Sequence, residues 1–404
     1  MAVNGFILSD AKVLNLFKKK YLKFSQNMYN GKNEILGRVK KSYDVVGDET
    51  VRAIPIGFSG GSGGNAFGDL PQANRAQYEK ATFSTKSLYV VSEIDRRTVA
   101  QSKNAGAFVE GMKETVSKST EEFNWLMSFV LFGDGTGKLG IIDSGGVTDN
   151  GGGSYTVIIS AASYKRAVWE KGKIVNVGSS SDRFEVTNHI PSSRSVTIVR
   201  LAGGSTVPVA ADSIYLQSLI NAAPEGLKGV LDATSSTKYG IDIQYRWQAF
   251  QKAAASATIN TDLMNECMLG VHEQCGESPN LIVTSYVQMR KLLSQLEDQK
   301  RYFSSSKMSS RYGDFSFNAV QFMSIDGPVN IVVDRFCEDD RMYFLNDNFI
   351  EICHAPGSPG WADDEGFVFL RKAGTDRYDA RYAAYLQIYI PPTMHGVLTG
   401  LATD

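Results

Sequence analysis

Between residues 104 and 133 apolar side chains recur every three or four positions. Phe108, Met112, Val116, Phe123, Leu126, Met127, Val130 and Leu131 fall on one side of a helix, with Lys113, Glu114, Lys118, Glu121 and Glu122 on the other. Asn104 is placed to cap the start and Gly133 to stop the end. At 1.5 Å per residue such a helix spans roughly 40 Å, long for a globular domain. It runs into Gly133-Asp-Gly-Thr-Gly-Lys-Leu-Gly140, and β-type patterning follows.

Upstream, residues 1–50 form an arm. Ala11–Phe24 carries Leu14, Phe17, Tyr21 and Phe24 at helical spacing, and its Lys18, Lys19, Lys20 and Lys23 are a solvated basic face or a contact for nucleic acid. Residues 51–95 read as a long hairpin. Val51–Phe58 is one strand and Thr82–Ile94 the other, with the glycine-serine tract Ser59–Asn65 between them. A two-stranded ribbon cannot cover both of its own faces, so it needs a neighbour. That is the strongest sign of assembly in the pattern alone.

Downstream, Tyr155–Ile159, Lys173–Val177, Arg183–Asn188, Ser195–Arg200 and Ser213–Leu216 are strands separated by Gly, Ser, Asn and Pro clusters. They predict a small barrel or sandwich inserted into a larger domain. Residues 218–354 then alternate. Helices are predicted at Asp242–Ser256, Asp262–Gln274 and Tyr286–Arg301. Strands are predicted at Asn280–Val283, Val329–Val333, Met342–Leu345 and Phe349–Cys353, giving a mixed α/β domain. Serine-rich Phe303–Asp314 reads as a mobile loop. Phe367–Arg371 and Ala380–Ile390 are strands, the second apolar on both sides and so interior to a sheet.

Composition narrows the classes. The chain has 404 residues, 43% of them hydrophobic, enough for two or three domains. A net charge of −1 gives no global pull toward DNA or an anionic membrane. No apolar run reaches the ~18 residues that suggest a membrane span, and Met1-Ala-Val-Asn-Gly5 lacks a signal-peptide pattern. The four cysteines (Cys267, Cys275, Cys337 and Cys353) lack a disulfide-framework spacing, so a reducing compartment is expected.

Several short motifs match enzyme signatures and fail on context. Gly135-Thr-Gly137-Lys-Leu-Gly140 fits G-x-G-x-x-G, but a dinucleotide site needs a strand before it and a helix after it. Here the order is reversed. A Walker lysine at Lys138 is ruled out by Leu139, where Ser or Thr is needed, and by Phe132 at the first glycine. Gly57-Phe-Ser59-Gly-Gly61 and Gly60-Gly-Ser62-Gly-Gly64 fit G-x-S-x-G, yet lie in a low-complexity loop instead of a strand–turn–helix. Cys267, His272 and Cys275, with His354 beside Cys353, do not have zinc-finger spacing and do not converge on one helix face. The cysteines read as small apolar packing groups. His189 and His395 have no partner in sequence. Glu338-Asp339-Asp340 and Asp363-Asp364-Glu365 read as solvated loops. The expected sets of catalytic, cofactor-binding and metal-binding residues are therefore empty.

Taken in order, these elements resemble the major capsid proteins of tailed bacteriophages, whose architecture is the Johnson fold (the Hong Kong ninety-seven type). Local likeness is best at Phe108–Gly140, with its Leu131-Phe-Gly-Asp-Gly-Thr-Gly137 end, at Pro279–Leu293, and at Tyr382–Ile388 through His395–Leu401. The resemblance implies an α+β chain made of an N-terminal arm (1–50), an extended hairpin loop (51–95) and a peripheral domain with its spine helix (96–145 and 359–404). A β-rich insertion (146–217) and an axial α/β domain (218–358) complete it.

The family implies hexamers and pentamers closing an icosahedral shell around double-stranded DNA, with the hairpin lying over an adjacent subunit. Neutral charge suits a container that touches its genome weakly and without sequence preference. About a hundred residues precede the spine helix and the arm and hairpin use them, so a separate scaffolding protein is expected, with a portal and possible decoration or cement protein. Lys80 and Lys86 lie near the hairpin, but non-covalent joining is expected. The hairpin tip Gly60, Gly61, Ser62, Gly63, Gly64 and Asn65 should touch a neighbour, and Glu93, Arg96 and Arg97 are expected in intersubunit ion pairs. Ser304, Ser305, Ser306, Lys307 and Arg311 are expected at the capsomer centre. The location implied is the virion, after assembly in the host bacterial cytoplasm, with no membrane partner. The rivals are an encapsulin-type nanocompartment shell, a nucleotide-binding enzyme built on 135–140, and a monomeric β-rich binding module.

Overall fold

The computed structural model describes residues 34–43, 45, 47, 49–57, 68, 75–95, 105–201, 204–232, 236–242, 247–298, 305–307, 318–324, 327–362, 368–371, 374–375 and 377–403. The described residues start with a short helix α1 (Glu34–Arg38) and strand β1 (Lys40–Ser42), then β2 (Glu49–Gly57), β3 (Gln77–Ser84), β4 (Lys86–Asp95) and the long helix α2 (Ala105–Leu131). Six strands follow: β5 (Lys138–Gly151), β6 (Ser154–Ile159), β7 (Ile174–Val177), β8 (Arg183–Ile190), β9 (Ser195–Arg200) and β10 (Ser213–Leu216). Helix α3 (Leu227–Leu231) precedes β11 (Thr237–Lys238), β12 (Ile241–Asp242) and β13 (Phe250–Ala253). Next come α4 (Thr261–Cys275), β14 (Leu281–Thr284) and α5 (Tyr286–Asp298). The last strands are β15 (Ser305–Lys307), β16 (Asn318–Ser324), β17 (Gly327–Val333), β18 (Met342–Leu345), β19 (Glu351–His354), β20 (Gly360–Trp361), β21 (Phe369–Arg371), β22 (Arg377–Tyr389) and β23 (Gly396–Thr399).

Three β bodies gather around the C-terminal half of α2. In the first, β22 is the central strand, as its two-sided apolar pattern requires. It pairs β4 on one side and β19, β20 and β21 on the other, and β1 lies parallel beyond β19. The second is a closed six-stranded barrel in the order β10-β5-β6-β9-β8-β7. The third is a mixed seven-stranded sheet, β13-β23-β18-β14-β17-β16-β15, with α4 and α5 on one face.

Helix α2 touches all three. Phe123 meets Tyr382 of the first sheet at 4.8 Å between ring centroids, and Phe132 meets Tyr343 of the seven-stranded sheet at 6.1 Å. Trp125 donates its indole N–H to the Ala167 carbonyl on the barrel side (3.2 Å). Every residue from Phe123 to Phe132 is therefore buried, including Asn124 and Ser128. Just before this stretch Lys118 and Glu122 are exposed while Ser119 and Thr120 are buried, and from Phe123 on the one-sided pattern ends because a helix surrounded by three bodies has no solvent side.

Four sequence expectations change. The predicted second hairpin arm, Thr82–Ile94, divides at Thr85: β3 pairs β2, whereas β4 leaves the ribbon to pair β22. Leu88 and Val90 must be buried against α2, and only the larger sheet offers that cover. The helix expected at Asp242–Ser256 is absent from residues 247–256. Phe250–Ala253 instead runs parallel to β23, and Ala255 and Ser256 adopt φ of 49° and 64°. Tertiary pairing overrides the helical preference of the alanines there. Ser305–Lys307, expected in a loop, forms an edge strand against β16. The long strand β5 was missed because its glycines hide the alternation, and it carries irregular register between Ile142 and Val147. The basic segment Ala11–Phe24 and the cap Asn104 lie outside the described residues.

Candidate functional site

Among the described residues, the β2–β3 ribbon stands largely exposed. Its strands pair from Glu49↔Ser84 to Gly57↔Gln77, and its apolar side chains stand in solvent, with Val51 53% and Tyr78 63% exposed. A ribbon that buries so little of itself gets its stability and direction from its base.

That base is built by Arg52, Phe83, Tyr239 and Tyr389. The Arg52 guanidinium sits 4.5 Å from the centroid of the Tyr389 ring and bonds the Glu351 carboxylate at 2.5 Å. Phe83 stacks on Tyr389 (5.5 Å) and meets Tyr239 edge-on (5.7 Å). The Tyr239 hydroxyl donates to the Ile388 carbonyl (3.2 Å) and accepts from the Ile390 N–H (3.3 Å). Burial pushes that phenol far above its usual range, so it stays a neutral donor. The Thr82 N–H reaches the Tyr239 carbonyl (2.8 Å), which ties the strand itself to this cluster. None of the four residues stood out in sequence. Tyr239-Gly240 was the one available signal, as a turn.

A second junction fixes the barrel. Lys173 lies 4.0 Å over the Trp125 ring and pairs Glu122 of α2 at 2.9 Å. On the far side of the barrel–sheet contact, Glu338 is buried and bound by Lys228 (2.7 Å), Arg341 (2.9 Å) and Lys165 (3.4 Å). Burial alone would raise the Glu338 carboxyl, but the three cations outweigh it and hold the group at about 2. The expectation of a solvated acidic loop at 338–340 is thus overturned. Asp339 and Asp340 are also partly withdrawn from solvent, and burial raises both. Local charge density cannot reveal partners 110 and 173 positions away.

The residues expected at contacts are placed as follows. Glu93 sits on β4 and accepts from Arg377 of β22 in its own chain (2.6 Å). Gly60, Gly61, Ser62, Gly63, Gly64, Asn65, Arg96 and Arg97 lie outside the described residues, as do Ser304, Arg311 and Asp363–Glu365. Ser305, Ser306 and Lys307 form the edge strand of the seven-stranded sheet.

The glycine motif has a packing explanation at each position. Gly135 and Gly137 hold φ of 82° and 72°, and a Cβ on Gly137 would meet the Leu219 carbonyl oxygen at 2.3 Å. A Cβ on Gly140 would meet Ile159 at 2.8 Å and the Trp169 ring at 3.2 Å. The loop is closed by its own chain, and it leads into a barrel strand. Of the metal candidates, Cys267 is buried beneath α4, while His272 and Cys275 bond to Ser278 and to backbone carbonyls. His354 stacks on Tyr43 (5.3 Å) within the first sheet, far along the chain from them. His395 does have a partner: its Nδ1 accepts from the Asn346 N–H (3.1 Å). His189 hydrogen-bonds the Tyr164 hydroxyl on the barrel (2.8 Å).

Residues 216–402 match the family model of the SU10 major capsid protein. Among solved structures, the chain is similar to a capsid subunit of cyanophage A-1(L), with 12% identity, a TM-score of 0.53, and 91% of this chain and 90% of that chain covered. It also aligns with the SrpI encapsulin of Synechococcus elongatus PCC 7942 at 8% identity and a TM-score of 0.47, covering 93% and 90% of the two chains. That score is too low to bear on function. No curated protein sequence matches the chain.

Proposed function

We infer that this chain, a major capsid protein of the tailed-phage kind, builds hexamers and pentamers that close into an icosahedral shell around double-stranded DNA. The observation that carries the reading is the family match over residues 216–402, on a chain whose whole fold is similar to a phage capsid subunit. The β2–β3 ribbon on an aromatic base supports it, because its exposed Val51 and Tyr78 would gain cover from a neighbouring subunit. The family match falls on a phage capsid protein, which favours a genome container over an encapsulin-type compartment.

In this reading the ribbon is the extended loop, α2 the spine of a peripheral domain completed by residues 359–404, and the seven-stranded sheet the axial domain. The loop tip at Gly60–Asn65 lies on a neighbour, with Arg96 and Arg97 at its root. Glu93 serves the root from within, since it already holds Arg377. The β15–β16 end, with Ser304–Lys307 and Arg311, points to the capsomer centre. A separate scaffolding protein and a portal complete assembly, a decoration protein is an optional addition, and the packaged DNA is touched weakly. Assembly takes place in the host cytoplasm.

The test is negative-stain electron microscopy and light scattering on the purified chain, alone and with a scaffolding protein encoded beside it. Rings of five or six, tubes or closed shells support the reading. A persistent monomer or dimer under both conditions rejects it.

A further inference from the structure

The two faces of the β2–β3 ribbon are unlike. Arg52 and Phe83 belong to the face that meets Tyr239 and Tyr389 at the base. The register puts Val51, Ala53 and Pro55 of β2 on the other face, opposite Thr82, Lys80 and Tyr78 of β3. Val51, Ala53, Pro55, Tyr78 and Lys80 are all exposed. Lys80 is the one charge among these six residues, and it pairs with no carboxylate among the described residues.

The first sheet has a bare face of its own. Strand β4 buries Leu88 and Val90 and leaves Tyr89 and Val91 on the opposite side, 52% and 59% exposed. Tyr385 of β22 shares that outer side and is 42% exposed. The Tyr89 and Tyr385 rings meet edge-on at 6.1 Å, with their hydroxyls 3.4 Å apart. The three side chains line a cleft of about 920 Å³, whose other wall is Ile174, Leu216 and Leu219 at the neck of the barrel.

One copy cannot lay its own ribbon on this face. Strands β3 and β4 are a single run of chain interrupted at Thr85. Lys86 lies opposite Leu386 of β22, and Phe83, three residues back, stacks on Tyr389, three residues on. The ribbon therefore leaves past the Tyr389 end of β22. Tyr89 and Val91 lie toward its Arg377 end, opposite Ala383 and Arg381. The bare ribbon face and the bare sheet face sit at opposite ends of one run, so the cover for each must come from another copy. Two apolar β faces pack as layers about 10 Å apart, and a lysine set over tyrosine rings is attracted by their π faces. The base of the same ribbon already uses that chemistry, with Arg52 over Tyr389.

We infer that the Val51–Tyr78 face of the ribbon in one copy docks on the Tyr89–Val91–Tyr385 face of another copy, with Lys80 seated on the tyrosine pair. The inference rests on the shell reading. It names the ribbon face that is used and the surface that receives it.

The experiment mixes two differently tagged variants, Tyr78→Cys and Val91→Cys, lets them assemble, and oxidises them. The control replaces Val91→Cys by Thr148→Cys, a thiol on an exposed barrel strand. Far-ultraviolet circular dichroism first establishes that each variant is folded. The expected result is a disulfide-linked dimer carrying both tags, at least tenfold above the control mixture. Equal yields overturn the inference. A second measurement needs no substitution. Hydroxyl-radical footprinting of assembled against dissociated wild type should protect Tyr78, Tyr89 and Tyr385 together, each at least threefold. Protection of Tyr78 with Tyr89 and Tyr385 still labelled overturns this contact and leaves the shell reading intact. A wild type that forms no rings, tubes or shells overturns the shell reading itself, and this contact with it.

Discussion

Arg52 lies over the ring of Tyr389, 4.5 Å from its centroid, while the same guanidinium bonds Glu351. One side chain thus joins the first strand of the exposed ribbon to two strands of the sheet that packs on α2. Replacing Arg52 by Ala removes a partly exposed ion pair and a cation–π contact, a loss of about 1–2 kcal/mol. The subunit should still fold, because the Phe83–Tyr239–Tyr389 cluster remains. The ribbon should open more often at its base, seen as faster amide exchange at Thr82 and Phe83 with little change in β22. Unaltered exchange would mean that the aromatic cluster alone holds the ribbon.

Glu338 connects the barrel, through Lys165, to α3, through Lys228, and to Arg341. Its folded value of about 2 lies below the ordinary 4.5, so its contribution is present above about pH 4.5 and lost as pH falls toward 2. The full shift corresponds to roughly 3 kcal/mol. Asp339 and Asp340 act in the opposite sense, since burial raises them and their protonated forms suit the fold. The clean measurement is therefore a difference. Glu338→Gln should lose about 3–5 kcal/mol at pH 7, because three cations are left facing a neutral group. Urea titrations of both proteins should converge as pH drops from 4.5 to 2.

His354 is buried with neither ring nitrogen hydrogen-bonded among the described residues, and burial followed by the nearby Lys41 charge pulls it down to about 4. A base depressed in the fold stabilises only while both states are neutral. Its contribution is complete above the unfolded value near 6.5 and drains away as pH falls toward 4. His354→Phe keeps a ring against Tyr43 and removes two unsatisfied atoms. It should stabilise the subunit by about 1 kcal/mol at pH 7 and by about 2 kcal/mol more at pH 5. His395, held at about 3, leaves a residual slope in the variant. A thermal melt series from pH 7.5 to 4.5 checks both numbers, and parallel profiles for the two proteins would reject the argument.

What the chain discloses locally, and what it hides, follows from where each element finds its partners. Helix α4 was legible because its ends are local chemistry: Asn260 accepts from the Leu263 N–H, and Gly276 closes the helix at φ 75°. Strand β22 was legible because an interior strand is apolar on both sides. Phe250–Ala253 was misread because its strand character comes only from β23, some 146 residues on. Glu338 was misread for the same reason. The division of the predicted hairpin at Thr85 depends on whether α2 or solvent faces Leu88, and alternation within one strand cannot tell these apart.

Gly137 separates the structural account of residues 135–140 from the enzymatic one. Its φ of 72° disfavours any side chain, and a Cβ there would lie 2.3 Å from the Leu219 carbonyl oxygen, a backbone atom with nowhere to move. The neighbouring Asn221 N–H bonds the Thr136 carbonyl and the Leu216 N–H bonds the Gly137 carbonyl, so the loop is clamped on both sides of the clash. Gly137→Ala should therefore cost about 3 kcal/mol or more and loosen the entry to the barrel, with no ligand present. A nucleotide site would behave differently. Millimolar nucleotide would raise the melting temperature of wild type through preferential binding to the folded state, and the substitution would abolish that rise. The expected pair of results is a large drop in stability for Gly137→Ala and no nucleotide-dependent shift in wild type. A rise of several degrees with ATP or NAD in wild type would return these glycines to ligand chemistry.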